Sequence, residues 1–152
     1  MKIAITGIPG VGKTTIAKAL AKKLGYQYID LNKLIIEKYK PKYDWFYDSY
    51  IIEDDMLNIE IPDNSVIDSH LSHLLDVDLV VYLIADPKII EQRLKERGYS
   101  FSKIFENIWA QTAGIIESEL VGKKYIKIDV TNKDVDTIVN QIIDYISTLD
   151  KK

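Results

Sequence analysis

The sequence predicts a three-layer α/β domain in which helices cover both faces of a five-stranded parallel sheet. Segments typical of strands alternate along the chain with segments typical of helices, as in successive βαβ units. Two strand segments, 65–68 and 79–84, are continuously apolar, as expected for strands buried on both faces of a parallel sheet. Since the 152 residues suit one domain, we predict a single domain over 1–152.

The individual elements follow from hydrophobic spacing and from glycine, proline and capping residues. Gly25 and Pro41 mark the ends of the first two helices, and Asp86-Pro87 supplies a cap and a first-turn proline for the third. Residues 41–60 have no decisive pattern. Strands are predicted at 2–6, 26–30, 65–68, 79–84 and 125–129. Helices are predicted at 15–24, at 31–39, from 87 to about 98, from about 102 to 120, and from a cap at Thr131 or Asn132 to about 149.

The amino-acid composition excludes several classes of function. Hydrophobic residues make up 47% and charged residues 28%, the balance of an ordinary globular protein. The absence of cysteine excludes disulfides and thiolate metal sites, and the sequence has no signal peptide or membrane span. We therefore predict a cytoplasmic protein that makes no membrane contact. A net charge of −3 argues against broad nucleic-acid binding, so any RNA contact is expected to be indirect.

A phosphate-binding loop is the most specific motif. Residues 7–14 match G-x-x-x-x-G-K-[ST] and lie between the first strand and the first helix. Glycines such as Gly10 and Gly12 let backbone N–H groups surround a β-phosphate. Lys13 reaches the β- and γ-phosphates, and the Thr14 hydroxyl is a ligand for Mg²⁺. The sequence therefore predicts that the chain binds a nucleoside triphosphate with Mg²⁺.

Other features favour a kinase over the remaining classes of P-loop protein. A GTPase carries D-x-x-G, which is absent, and N-K-x-D, of which residues 132–136 are only a near match that we interpret as a helix cap. A motor ATPase would be larger. The loop has Pro9 before its middle glycine, and a second threonine, Thr15, follows Thr14, as in small nucleotide and metabolite kinases.

An acidic residue ends the strand predicted at 65–68. Asp68 is expected at the carboxyl edge of a central strand, where an aspartate holds Mg²⁺ directly or through water. The alternative is that Asp68 caps a helix beginning at His70. We predict that His70 orients a water or an acceptor phosphate, and that His73 is a packed or surface histidine. No third strong ligand is near, so a zinc site is not expected.

The two arginines of the chain form a pair. Arg93 and Arg97 are four residues apart on a predicted helix, so they project from one face toward whatever lies over the loop at Gly98. A guanidinium offers the planar fork that neutralises a phosphoryl group during transfer. We predict that both arginines act in catalysis, although a solvated helix face would also explain them.

Together these motifs resemble a known family. The loop at 7–14, the stretch 68–73, and Glu96-Arg97-Gly98-Tyr99 followed by Lys103, Glu106 and Asn107 are similar to the adenylate-kinase-like ATPases of late small-subunit ribosome assembly. These are the CINAP-type proteins, here in their archaeal form. The similarity spans essentially the whole chain. It implies an adenylate kinase-like P-loop NTPase fold with a short nucleotide-monophosphate-binding segment at about 29–52 and a short lid at about 97–107.

The resemblance also implies an activity and a set of site residues. The activity is Mg-ATP-dependent phosphorylation of AMP and other nucleoside monophosphates, together with ATP hydrolysis. Arg97 would close on ATP from the lid, and Asp68 with His70 would form the Walker-B pair. ATP contacts are implied for Gly10, Gly12, Lys13, Thr14 and Thr15.

A protein partner is implied as well. It is the ribosomal protein universal small-subunit protein eleven, bound transiently while the 3′ end of small-subunit RNA matures. An acidic run at 44–60 is compatible with a basic ribosomal tail, and equally with a solvated acidic face. The acidic residues of this run are Asp44, Asp48, Glu53, Asp54, Asp55 and Glu60.

One difference from ordinary adenylate kinases leaves the identity of the phosphate acceptor open. Adenylate kinases hold the acceptor phosphate with several arginines, whereas residues 29–60 contain none. Lysines there offer point charges instead of bidentate forks, so water competes as the acceptor. Two other functions stay open: a nucleotide-gated ribosomal-protein chaperone and a metabolite kinase of the shikimate type. Four aromatic residues would either stack on an acceptor base or belong to the core: Trp45, Phe46, Tyr47 and Tyr50.

Overall fold

The computed structural model describes residues 1–46 and 48–149. Tyr47 of the aromatic group lies outside the described residues. The strands are β1 (Lys2–Thr6), β2 (Gln27–Asp30), β3 (Tyr43–Asp44), β4 (Ser49–Tyr50), β5 (Ser65–Asp68), β6 (Leu79–Ile84) and β7 (Tyr125–Asp129). The helices are α1 (Lys13–Leu24), α2 (Leu31–Tyr39), α3 (Pro87–Glu96), α4 (Phe101–Thr112), α5 (Ile115–Ser118) and α6 (Val135–Leu149).

The central sheet is parallel and has five strands, as predicted. Its order is β2-β5-β1-β6-β7, so β1 lies in the middle, between β5 and β6. In this register Ile5 of β1 lies opposite Asp68 of β5 and Val81 of β6. Because parallel strands end at the same edge of a sheet, the loop that follows β1 emerges directly beside Asp68.

The core lies on both faces of this sheet. Neighbouring residues Val66 and Ile67 of β5 are fully buried, yet they belong to two different hydrophobic clusters, since successive strand residues point to opposite faces. One cluster takes side chains from α1, α3 and α6, and the other takes Leu31 and Ile35 from α2. This is the three-layer α/β P-loop arrangement that the alternation of elements predicts.

Two predicted helix boundaries are confirmed in detail. The carboxylate of Asp86 accepts a hydrogen bond from the backbone N–H of Lys88, and Pro87 is the first residue of α3. Gly25 adopts φ 71° after α1 and donates its N–H to carbonyls of the last turn. None of the helices in the described ranges is long and apolar enough to cross a membrane.

Two other helix predictions are wrong. The helix predicted from about 102 to 120 is broken, because Gly114 adopts φ 70° between α4 and the short α5. The predicted cap of α6 at Thr131 or Asn132 is also wrong. Asp134 caps α6 instead, because its carboxylate accepts a hydrogen bond from the backbone N–H of Thr137. The Thr131 hydroxyl accepts a hydrogen bond from the backbone N–H of Asp86.

The segment at 41–60 forms small elements that its sequence did not indicate. Strands β3 and β4 pair as an antiparallel hairpin, and residues Asp54–Leu57 form a 3₁₀ turn. Tyr43 contacts Trp45 and Tyr50 edge to face, yet the Trp45 and Phe46 side chains are 86% and 88% exposed. These aromatic residues of the hairpin are therefore surface residues and do not belong to the core.

Candidate active site

The P-loop connects the end of β1 to the start of α1 and depends on glycine. Gly7 has φ 149°, and a Cβ atom there would lie 2.6 Å from the carbonyl oxygen of Leu83 in β6. Only glycine lets the loop pass this close to the neighbouring strand. The predicted contact residues Gly10 and Gly12 both have φ 94°, which also favours glycine.

The first turn of α1 presents the other predicted phosphate-binding residues. Thr14 and Thr15 are exposed there, and the first turn carries no acidic residue. The amino end of a helix has free N–H groups and a partial positive charge, so this end suits an anion. The ammonium of Lys13 donates to the carbonyl oxygen of Ile8 across the loop, at 3.0 Å.

The charge state of Lys13 is set by its surroundings. The side chain as a whole is half-buried, but its ammonium lies inside the loop. Loss of hydration lowers the pKa of Lys13 to about 8, and the positive charge of Arg97 acts in the same direction while Asp68 opposes it. Lys13, Arg97 and Asp68 therefore share one electrostatic environment.

Asp68 lies at the carboxyl end of β5 and is tied to the P-loop helix. The Thr14 hydroxyl donates a hydrogen bond to Asp68 Oδ2 at 2.7 Å. The alternative role of Asp68 as a helix cap is wrong, because its carboxylate accepts from side-chain hydroxyls and no helix begins at His70. A threonine hydroxyl beside an aspartate carboxylate supplies the hard oxygen ligands that Mg²⁺ takes, so these residues fit the ion.

Asp68 has a second donor that sequence analysis missed. The hydroxyl of Tyr28, on β2, donates to the same Oδ2 at 2.8 Å. Burial and then the hydrogen bond to Asp68 raise the pKa of Tyr28 above its ordinary value, so the phenol stays protonated. Its only sequence signal is its place on the strand predicted at 26–30, whose position beside β5 is shown only by the structure.

Both arginines of the predicted pair lie near the P-loop. Arg93 donates from Nη1 to the carbonyl oxygen of Gly10 at 2.9 Å, which brings its guanidinium to the P-loop. Arg97 is the residue that ends α3, and it approaches Lys13 closely enough to affect its pKa. Both arginines thus act at the P-loop, Arg93 through a direct hydrogen bond to Gly10 and Arg97 through its charge beside Lys13.

The two histidines also differ. His70 keeps an exposed side-chain surface, yet desolvation and the charge of Lys13 lower its pKa to about 4, so the ring is neutral at neutral pH. His73 is packed, as predicted, with 1% exposure. Its Nε2 lies 3.1 Å from Glu119 Oε1 and its Nδ1 lies 2.7 Å from Thr6 Oγ1. Burial lowers the pKa of His73, so the ring is neutral at neutral pH. Because the Glu119 carboxylate can only accept, we assign the ring proton to Nε2, which leaves Nδ1 to accept from Thr6.

Comparison with known proteins decides the family. Residues 3–114 match the family model described as AAA domain. A Methanocaldococcus jannaschii protein named "Putative adenylate kinase" is 44% identical, and the alignment covers 96% of this chain and 86% of that protein. A Pyrococcus abyssi protein of the same name is 45% identical, with coverage of 97% and 85%. The chain belongs to this adenylate-kinase-like family.

Solved structures share the fold of this adenylate-kinase-like chain. Shikimate kinase from Bacteroides thetaiotaomicron has a TM-score of 0.64 at 20% identity, with coverage of 97% of this chain and 98% of that one. Deoxyadenosine kinase from M. mycoides has a TM-score of 0.62 at 19% identity, with coverage of 98% and 100%. At these identities the likeness concerns the fold alone. The fold is that of P-loop kinases.

One contact joins the site of this adenylate-kinase-like protein to a flanking segment, and a second contact joins its two flanking segments to each other. Ser69, which follows Asp68, donates to the side-chain oxygen of Asn32 in the first turn of α2 at 2.7 Å. Lys103 in α4 donates to the carbonyl oxygen of Asp48 in the hairpin at 3.0 Å. The segment 29–52 contains α2 and the hairpin, and the segment 97–107 contains a turn and the first half of α4. The two segments thus touch each other.

Proposed function

We propose that this chain is a Mg-ATP-dependent nucleoside monophosphate kinase with ATPase activity. The supporting observation is the arrangement of three side chains at the carboxyl ends of β1 and β5. Lys13 lies within the loop, and the Thr14 hydroxyl lies 2.7 Å from the Asp68 carboxylate. Family membership and the P-loop kinase fold support the same class of reaction.

Each side chain has a role in this proposal. Lys13 and Arg93 neutralise the phosphates of ATP, and Arg97 adds charge from the end of α3. Thr14 and Asp68 hold Mg²⁺, which supplies charge neutralisation at the β- and γ-phosphates when bound. Thr15 and the backbone of Gly10 and Gly12 complete the ATP contacts. His70, which is neutral, accepts a hydrogen bond from the attacking water or orients the acceptor.

The acceptor site is proposed to lie over the segment 29–52. Its cations are lysines, and Lys38 is already engaged with the carbonyl oxygen of Asn58. Point charges hold a phosphate less specifically than an arginine fork. We therefore expect broad acceptor specificity and measurable ATP hydrolysis, because water competes with the acceptor.

A screen of nucleoside monophosphates at fixed ATP tests the activity. The ratio of phosphorylated acceptor to free phosphate separates kinase from ATPase activity. Lys13→Ala is expected to remove both activities, whereas Lys22→Ala, in the last turn of the same helix, is expected to leave both unchanged. Retention of both activities by Lys13→Ala would show that the assignment is wrong.

A role in late maturation of the small ribosomal subunit and in 3′-end processing of its RNA is the second part of the proposal. Its support is the family resemblance together with the acidic residues of 44–60, of which Asp54 and Asp55 lie exposed on a 3₁₀ turn. Exposed carboxylates complement a basic partner such as universal small-subunit protein eleven. RNA contact would then pass through that protein, in the cytoplasm.

Binding to the purified ribosomal protein tests this role and its alternative, a nucleotide-gated chaperone. Pull-downs are compared without nucleotide, with ADP and with ATP. Asp68→Asn is expected to stop hydrolysis and retain binding. A double Asp54→Lys, Asp55→Lys variant is expected to weaken binding while ATP turnover is unchanged. Absence of binding in every nucleotide state would remove the ribosomal part of the proposal and leave the kinase part standing.

A further inference from the structure

The carboxylate of Asp68 accepts two hydrogen bonds on one oxygen. Thr14 Oγ1 and Tyr28 Oη both donate to Oδ2, at 2.7 and 2.8 Å. Among the described residues, no donor engages Oδ1. Two donors on one oxygen fix the plane of the carboxylate, and the second oxygen is left for a metal ion or a metal-bound water.

The two donors to Asp68 differ, because Thr14 has a second predicted role and Tyr28 has none. Thr14 is a predicted metal ligand in the first turn of α1, so its hydroxyl oxygen has a second task. Tyr28 belongs to β2, which pairs with β5 in register, so that Asp30 lies opposite Asp68. The backbone of Tyr28 is therefore held by strand pairing that does not involve the P-loop.

The surroundings of the Tyr28 ring favour its hydroxyl as a hydrogen-bond donor. The ammonium of Lys18, one turn along α1, lies 5.4 Å from the centre of the ring, within the range of a cation–π contact. A cation over the ring draws electron density from the phenol and strengthens its O–H as a donor. The hydroxyl at the end of this ring is the group that donates to Asp68.

We propose that Tyr28 is a positioning residue of the Mg²⁺ site, which orients the Asp68 carboxylate toward the metal through its hydroxyl. This rests on the proposed function, in which Thr14 and Asp68 hold Mg²⁺. Partners that orient a metal-holding carboxylate commonly change metal affinity by about 10- to 100-fold when they are removed. In this role Tyr28 acts through the Asp68 carboxylate to which its hydroxyl donates.

The test measures how strongly Mg²⁺ and nucleotide support each other's binding. The dissociation constant of a fluorescent ATP analogue is measured in EDTA and over a Mg²⁺ titration. Tyr28→Phe keeps the ring and removes the hydroxyl. The expected result is an unchanged dissociation constant in EDTA and a Mg²⁺ half-saturation about tenfold higher. Tyr125→Phe is the matched control, since it removes a tyrosine–carboxylate hydrogen bond from Tyr125 on β7 to Glu117 on α5.

A double-mutant cycle excludes a merely structural effect. In an Asp68→Asn background, Tyr28→Phe is expected to cause no further rise in the Mg²⁺ half-saturation, because the group that it orients is already lost. Equal rises in both backgrounds, or no rise in the wild-type background, would overturn the role of Tyr28. If the wild-type protein binds the ATP analogue with no Mg²⁺ dependence, the metal site fails as well, and with it the proposed function.

Discussion

The guanidinium of Arg93 donates a hydrogen bond to the carbonyl oxygen of Gly10 at 2.9 Å, although 83 residues separate the two along the chain. This contact joins α3 to the middle of the P-loop. It holds a planar cation at the place where the phosphates of a bound nucleotide would lie. The contact also fixes the direction of a peptide unit whose glycine has φ 94°.

Removal of this contact is expected to weaken nucleotide binding. Arg93→Ala loses a charged donor, and because the side chain is exposed we expect about 1 kcal/mol, or roughly a fivefold higher ATP dissociation constant. Titration with the ATP analogue measures it. Lys95→Ala on the same helix, which loses only an exposed pair with Glu91, is expected to bind as the wild type does. Equal binding by Arg93→Ala would contradict the role of the contact.

Gly7→Ala is expected to destabilise the fold. The added Cβ would lie 2.6 Å from the Leu83 carbonyl oxygen, and the backbone has φ 149°, so overlap and strain together cost about 3 kcal/mol. Urea unfolding measures the free energy of unfolding. Gly114→Ala is the control: it has φ 70° but no atom within 4 Å, and about 1 kcal/mol is expected. Equal losses in the two variants would show that the close approach to β6 is unimportant.

Nucleotide binding is expected to take up a proton above pH 8. Lys13 has a pKa of about 8 in the free protein, and the phosphates of a bound nucleotide raise it. Affinity should therefore be constant below that pH and fall as the pH rises through it. Calorimetry at pH 7.5 and 9, in buffers of different ionisation enthalpy, measures the proton uptake. Lys13→Arg keeps its charge at both values, so the uptake should vanish in that variant.

Acid is expected to destabilise the protein through His73. Burial lowers the pKa of His73 from 6.5, so below that pH the unfolded chain binds a proton that the folded chain does not. The free energy of unfolding therefore falls as the pH drops from 6.5 through the lowered pKa. Urea unfolding between pH 7.5 and 4.5 measures this slope. His73→Gln is expected to be less stable at pH 7.5 and to show a shallower slope, and an unchanged slope would contradict the prediction.

Many elements and several site residues could be predicted because their signals are local. The alternation of strands and helices, the Asp86-Pro87 start of α3 and the Gly25 end of α1 depend on hydrogen bonds within a few residues. The helix predicted at 102–120 failed for a local reason as well. Gly114 lies inside that predicted range, and its left-handed conformation separates α4 from α5.

The sequence by itself determined the class of the protein. It is an α/β domain with a phosphate-binding loop at 7–14 and an acidic residue, Asp68, at the end of a central strand. Only the tertiary structure decided which side chains meet there. The strand order places β2 beside β5, which brings Tyr28 to Asp68, and the packing of α3 turns Arg93 to Gly10. Such contacts join residues 40 and 83 positions apart. They leave no periodic or capping signal, because they depend on how whole elements pack.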